Sequence, residues 1–251
     1  MKNEDLYHYL LEIADNSLIL GQRLGELTGH GPSLETDIAC TNISLDLFGQ
    51  VRSYFQYAGK IAGDGRTEDD IAMLRKEREY KNVLLVEQPN TDFAYTIARQ
   101  FLFDVYHLLF LTELEKSKDL NLSAIAKKSI KEVRYHTRFS TDWVKRLGDG
   151  TEESHSKIQK AINDLWPYTN ELFQVTEPCQ AMIKKGVAVD VSQLKTNYYQ
   201  KIEAVLNEAT LKAPDLKYFQ KGGKTGIHTE HMGYILSDLQ YMQRTYPNME
   251  W

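Results

Sequence analysis

The chain has 251 residues, 42% of them hydrophobic and 26% charged, enough to bury a sizeable core as one large domain or two small ones. Its net charge of −5, with lysines and arginines interspersed among acids, leaves no basic footprint for a phosphate backbone and excludes nucleic acid as a partner. The opening "MKNEDLYHYLLEIADN" is acidic and amphipathic, and the longest apolar runs fall far short of a bilayer, so no membrane span is expected and a cytoplasmic protein is.

Apolar residues recur at helical spacing almost throughout, and alternating Val, Ile and Thr are nearly absent, which predicts an all-α fold. A first helix is expected from about Glu4 to Leu27 on the stripe Leu6, Leu10, Ile13, Leu20, Leu24 and Leu27, stopped by "TGHGP". A second runs from near Ser33 to about Ala62 and ends in "GDG". Thr67 in "TEDD" caps a shorter helix reaching about Tyr80, and "VLLVEQPN" connects it to a third long helix, about Thr91 to Ser117. The fourth covers roughly Leu122 to Leu147. Long helices paired by short turns, with a longer crossover between the pairs, have the connectivity of a ferritin-like four-helix bundle. "TEESHSKIQKAINDLWPYTNELF" adds a helix expected to kink at Pro167, "VSQLKTNYYQKIEAVLNEATL" adds another, and "HTEHMGYILSDLQYMQRTY" makes the last. With no repeat or linker, the expectation is one domain over 1–251, its bundle core over about 4–148 and the added helices over about 151–251. Cys40 and Cys179 lack any ligand-like spacing and are read as free thiols.

The chemistry turns on what points into the bundle. The stripe Ile125, Ser129, Glu132, His136, Phe139, Trp143, Leu147 puts Glu132 and His136 a turn apart among core residues. On the third helix Asp104 falls between Phe101 and Leu108, with His107 beyond it in "DVYH"; on the second, Asp46 lies between Ile43 and Gln50. Such groups face a core only when paired or ligating, because desolvation is costly. A di-iron centre needs a Glu from each of two helices and Glu-x-x-His from two more. Here the first-helix acids Glu12, Asp15 and Glu26 fall opposite the leucine stripe, Gly49 stands where a His should follow Asp46, and Val133 replaces the carboxylate before His136. Asp104 and His107 keep the spacing, but so do Asp5 with His8 and Glu152 with His155 near helix ends. The expectation is a degenerate site without metal, its residues Asp46, Asp104, Glu132 and His136 forming a buried polar network.

Two other segments carry weaker signals. "GGKTG" resembles a phosphate loop, yet Tyr218 stands where its first glycine belongs and no strand precedes it. Its lysines, Lys217, Lys221 and Lys224, could meet an anion such as a coenzyme phosphate, while a solvated loop is the plainer expectation. His228 and His231 in "HTEH" sit at i, i+3, where a helix start favours capping and packing over ligation.

The segments "LGQRLGELTGHGPSLETDIACTNISLDLFGQ", "REYKNVLLVEQPNTDFAYTIARQ", "AIAKKSIKEVRYHTRFSTDWVKRLGDGT" and "GIHTEHMGYILSDLQYMQR" resemble the non-catalytic C subunits of bacterial phenylacetyl-CoA epoxidases. The resemblance runs nearly the whole chain, with "LVEQPN" and "GIHTEHMG" its most specific parts. It implies a ferritin-like structural subunit, itself without cofactor, that pairs with a di-iron catalytic subunit in a complex with a further small subunit. Electrons would come from a separate reductase carrying NADPH and flavin or iron-sulfur groups, and the complex would epoxidise the ring of phenylacetyl-CoA. A pairing with a second copy of the chain stays open. The competing readings are a free-standing ferritin-like di-metal oxidase or iron-binding protein, and an acyl-CoA binding module acting through the lysine loop.

Overall fold

The computed structural model describes residues 3–247 and 249. Every regular element among them is helical: α1 (Glu4–Gly25), α2 (Leu34–Ala62), α3 (Glu68–Met73), α4 (Phe93–Leu114), α5 (Leu120–Gly148), α6 (Glu152–Leu165), α7 (Glu177–Lys184), α8 (Lys195–Glu208) and α9 (Glu230–Thr245), with short 3-10 turns between. No helix among the described residues is long and apolar enough to cross a membrane. Two compact units emerge, the first formed by Met1–Glu87, Glu177–Met182 and Gly222–Trp251, the second by Gln88–Thr176 and Ile183–Lys221.

In the first unit, α1 and α2 form an antiparallel hairpin. The Ser33 side chain accepts the Thr36 N–H to cap α2, and Gly63, in the left-handed region at φ 64°, ends it. Gly21 lets the helices approach: a Cβ there would lie 3.2 Å from the Phe48 ring, and the Gly21 carbonyl accepts the Ser44 hydroxyl at 2.7 Å. The α1 acids are not on an open face. Glu12 and Asp15 are buried, because the connector after α3 and helix α9 cover the side of α1 opposite the leucines, a long-range closure that helical periodicity cannot see. Asp15 receives a fork from Arg75, through Nη1 at 2.9 Å and through Nη2, and also the Lys81 backbone N–H at 2.8 Å. Arg75 in turn donates to the Ile71 and Glu79 carbonyls and lies 4.1 Å from the Tyr80 ring centroid. Gln240 of α9 donates to the Arg75 carbonyl and to the Tyr80 hydroxyl, so one buried ion pair joins three segments.

In the second unit, α4 and α5 form another antiparallel hairpin, closed by the Ser123 hydroxyl on the Glu115 carbonyl at one end and by Phe93 edge-on to Trp143 at the other. Helices α6 and α8 pack on both. The expected kink at Pro167 is instead a stop. Helix α6 ends at Leu165, and the chain continues as tight turns over Trp166–Tyr168 and Asn170–Phe173, since proline offers no N–H to extend the ladder. Tyr198 of α8 donates to the Leu102 carbonyl at 3.0 Å, anchoring α8 to α4.

Candidate functional site

Of the degenerate-site residues, the second unit holds Asp104, His107, Val133 and His136, all buried. Asp104 accepts Gln100 Nε2 at 2.7 Å on one oxygen and Ser140 Oγ at 2.8 Å on the other. The same α5 turn is back-bonded, Ser140 Oγ lying 3.0 Å from the His136 carbonyl. Burial pushes the Asp104 carboxyl up to about 7, against the opposing pull of His136, Ser140 and Gln100. Burial, reinforced by His136, takes His107 down to about 3, so its ring, 5.2 Å from Phe103, is neutral at physiological pH. A bridging carboxylate must offer free oxygen lone pairs to two cations. Val133 offers none, so of these four residues Asp104 is the one carboxylate, and each of its oxygens already accepts a hydrogen bond. The donor set therefore does not fit a di-iron pair, and among the described residues no group of three or more His, Cys, Asp or Glu is placed to hold a metal.

Glu132 is half-buried on α5, one turn before His136. The buried stripe of α5 runs through Ala126, Ser129, Ile130, Val133, His136, Ser140 and Val144, displaced one residue from the one the sequence suggests. Small residues line the close approach of the helices, while the large Ile125, Phe139 and Trp143 flank it half-buried. Asp46 lies in the first unit, half-buried, and Gly49 there is exposed, a Cβ at that position meeting nothing within 4 Å. Among the lysines, Lys217 and Lys221 are exposed whereas Lys224 is buried. The glycines of "GGKTG" serve backbone contact: a Cβ on Gly223 would stand 2.1 Å from the Asn82 carbonyl oxygen, and one on Gly226, at φ 81°, 2.3 Å from that of Arg78. His155, expected at an exposed helix start, is half-buried and lies 2.7 Å from the Gly148 carbonyl through Nδ1.

A second buried constellation, in the first unit, joins the two most specific motifs of the sequence. Glu87 of "LVEQPN" is fully buried. Its Oε1 lies 2.6 Å from His228 Nδ1 and accepts Asn82 Nδ2 at 2.8 Å. Its Oε2 accepts the Thr229 N–H at 2.8 Å and the Thr229 hydroxyl at 2.6 Å. His228 Nε2 meets the Tyr80 carbonyl at 3.1 Å. An acceptor at each ring nitrogen favours the doubly protonated ring, an imidazolium paired with the Glu87 carboxylate. Arg23 of α1 grips the Glu87 carbonyl with Nε and Nη2 at 3.0 and 2.7 Å. The side chain of Thr229, which precedes α9, is spent on Glu87 rather than on the helix. Sequence reading missed Glu87, Asn82 and Arg23, and the one signal available was the presence of a carboxylate inside an otherwise apolar connector.

This pair ties stability to pH. Burial, the largest influence on His228, pulls its pKa down, but the hydrogen bond and charge of Glu87, with the Tyr80 carbonyl, outweigh it and leave it raised above 6.5. A raised folded value means that the stabilisation is complete below about pH 6.5 and is lost as pH climbs through the folded value. Wild type should therefore exceed His228→Gln in unfolding free energy most at pH 6, the gap narrowing by pH 9; a gap constant with pH contradicts the charged pair.

The family described as phenylacetic acid catabolic protein matches residues 1–251. The chain belongs to that family. Its fold class is accordingly all-α and ferritin-like. The chain is also similar to the C subunit of 1,2-phenylacetyl-CoA epoxidase from Escherichia coli (strain K12), with 49% identity over 243 residues that cover 97% of this chain and 98% of that protein. For a phenylacetic acid catabolic protein the two constellations have different standing. The Glu87 cluster ties the connector before α4 to the start of α9, and the Asp104 cluster lies between α4 and α5, the helices on which a metal centre would be sought.

Proposed function

We propose that this chain is the structural, non-catalytic subunit of a multicomponent monooxygenase that epoxidises phenylacetyl-CoA, and that it keeps a separate di-iron catalytic subunit folded and soluble. The reading rests on the near full-length likeness to the E. coli epoxidase protein. The chemistry of the interior supports it: Val133 stands where a carboxylate ligand would be needed, and the Asp104 carboxylate accepts hydrogen bonds from Gln100 and Ser140. What this chain supplies is a rigid helical body. The iron, the electrons and the reductase belong to its partners in a cytoplasmic complex.

Co-expression with the products of neighbouring genes, followed by pull-down on this chain, tests the proposal. A di-iron partner should co-purify, and the same partner expressed alone should be insoluble or unstable. A partner that is fully active and stable by itself would overturn the structural role.

A further inference from the structure

The second unit carries a groove that neither the family description nor the proposed structural role uses. Three helices contribute one face each: Val105, Leu108, Leu109 and Thr112 from α4, Arg134, Thr137 and Thr141 from α5, and Asn197, Lys201, Ala204 and Val205 from α8. The cavity measures about 590 Å³, within the range of small-molecule sites. Its floor is aliphatic. Its lining holds two cations and no carboxylate, and among the described residues neither Arg134 nor Lys201 has an ion-pair partner. Elsewhere on this unit some exposed lysines are matched with acids, Lys116 with Glu113, Lys157 with Glu153 and Lys160 with Asp164, while others such as Lys127, Lys128 and Lys131 are exposed without one among the described residues; what sets Arg134 and Lys201 apart is that both line one groove with apolar side chains. Two unmatched cations over an apolar floor select for a molecule with an anionic head and an apolar body, because the head gains charge-assisted hydrogen bonds while the body removes Leu108 and Leu109 from water.

We infer that the groove between α4, α5 and α8 binds a small amphipathic carboxylate, an aryl or medium-chain acid, with the head on Arg134 and Lys201 and the body against Val105, Leu108, Leu109 and Val205. The groove lies against the hydrogen-bonded α4–α5 contact, since the Thr137 hydroxyl is 3.3 Å from the Asp104 carbonyl, so an occupied groove would brace the helices that hold the Asp104 cluster.

The test uses the full chain and ligand-observed NMR with phenylacetate and octanoate as probes. Phenylacetamide, which keeps the apolar body without the charge, and inorganic phosphate, which keeps the charge without the body, serve as controls. Saturable binding of the two carboxylates is expected. The amide and phosphate should bind at least about tenfold more weakly, and the double variant Arg134→Gln/Lys201→Gln should lose about tenfold in affinity for the carboxylates. Ala204→Phe, which fills the groove, should abolish binding, with an unchanged circular dichroism spectrum confirming that both variants fold. No saturable binding to wild type, equal binding of amide and acid, equal binding of phosphate, or undiminished binding to either variant would each overturn the assignment.

Discussion

Arg75→Ala should lower the unfolding free energy by about 3–5 kcal/mol, the cost of stranding a buried charge. Asp15 is fully buried and Arg75 nearly so, so removing the guanidinium leaves a carboxylate with only the Lys81 N–H as partner. The loss also loosens the α3 connector, since the Arg75 guanidinium bonds the Ile71 and Glu79 carbonyls. Asp15→Ala should cost a similar amount. Because each partner is harmful mainly when the other remains, the double variant should cost clearly less than the two single losses added together. Denaturant melts of the four proteins measure this; additive losses would show that the pair is not coupled.

His136→Ala should cost about 2–4 kcal/mol, through the cavity left by a fully buried ring and the loss of a neighbour that helps hold the Asp104 carboxylate in a dry environment. The favourable influence of His136 on the charged form of Asp104 is the physical link between them. Loss of the ring should therefore raise the Asp104 value further, so that the variant's deficit grows as pH rises above about 7, where the carboxylate must ionise. The sign follows from linkage: a buried acid whose folded value is raised binds protons more tightly when folded, so its contribution falls as pH increases. Any effect on an assembled complex should follow the loss of folded protein. A variant that melts like wild type yet abolishes turnover of the complex would make His136 catalytic and contradict the structural role.

The long helices are legible because stripe, cap and breaker agree: Ser33 before α2, Gly63 after it, and Thr67 with Asp70 forming the reciprocal cap of α3. What fails is the partition of polar residues into inside and outside. Helix α1 shows its leucines on one face, yet Asp15 and Glu12 on the other are buried as well, because residues some 60 positions later fold over them. Short-range periodicity carries no information about such a cover. Helix α5 misleads differently. Its large apolar residues flank the packed seam while Ala126, Ser129 and Ser140 occupy it, so weighting by size displaces the stripe by one residue and passes over Ser140. The eight-residue α7 escapes notice because a helix of that length shows too few turns for a period to register. Asp104 and His107 stand out because a charged or imidazole side chain amid the continuous apolar sequence of α4 is conspicuous whatever the exact stripe, and His136 because Ser129 and His136 belong to both the expected and the observed stripe.

Iron analysis of this chain, purified by itself from iron-supplemented medium, tests most directly whether it is a scaffold or an oxidase. With Val133 where a carboxylate ligand would be needed and Asp104 held by Gln100 and Ser140, the protein should carry no stoichiometric iron and no near-ultraviolet absorption of an oxo-bridged pair. A stoichiometric iron pair on the isolated chain would contradict the structural role.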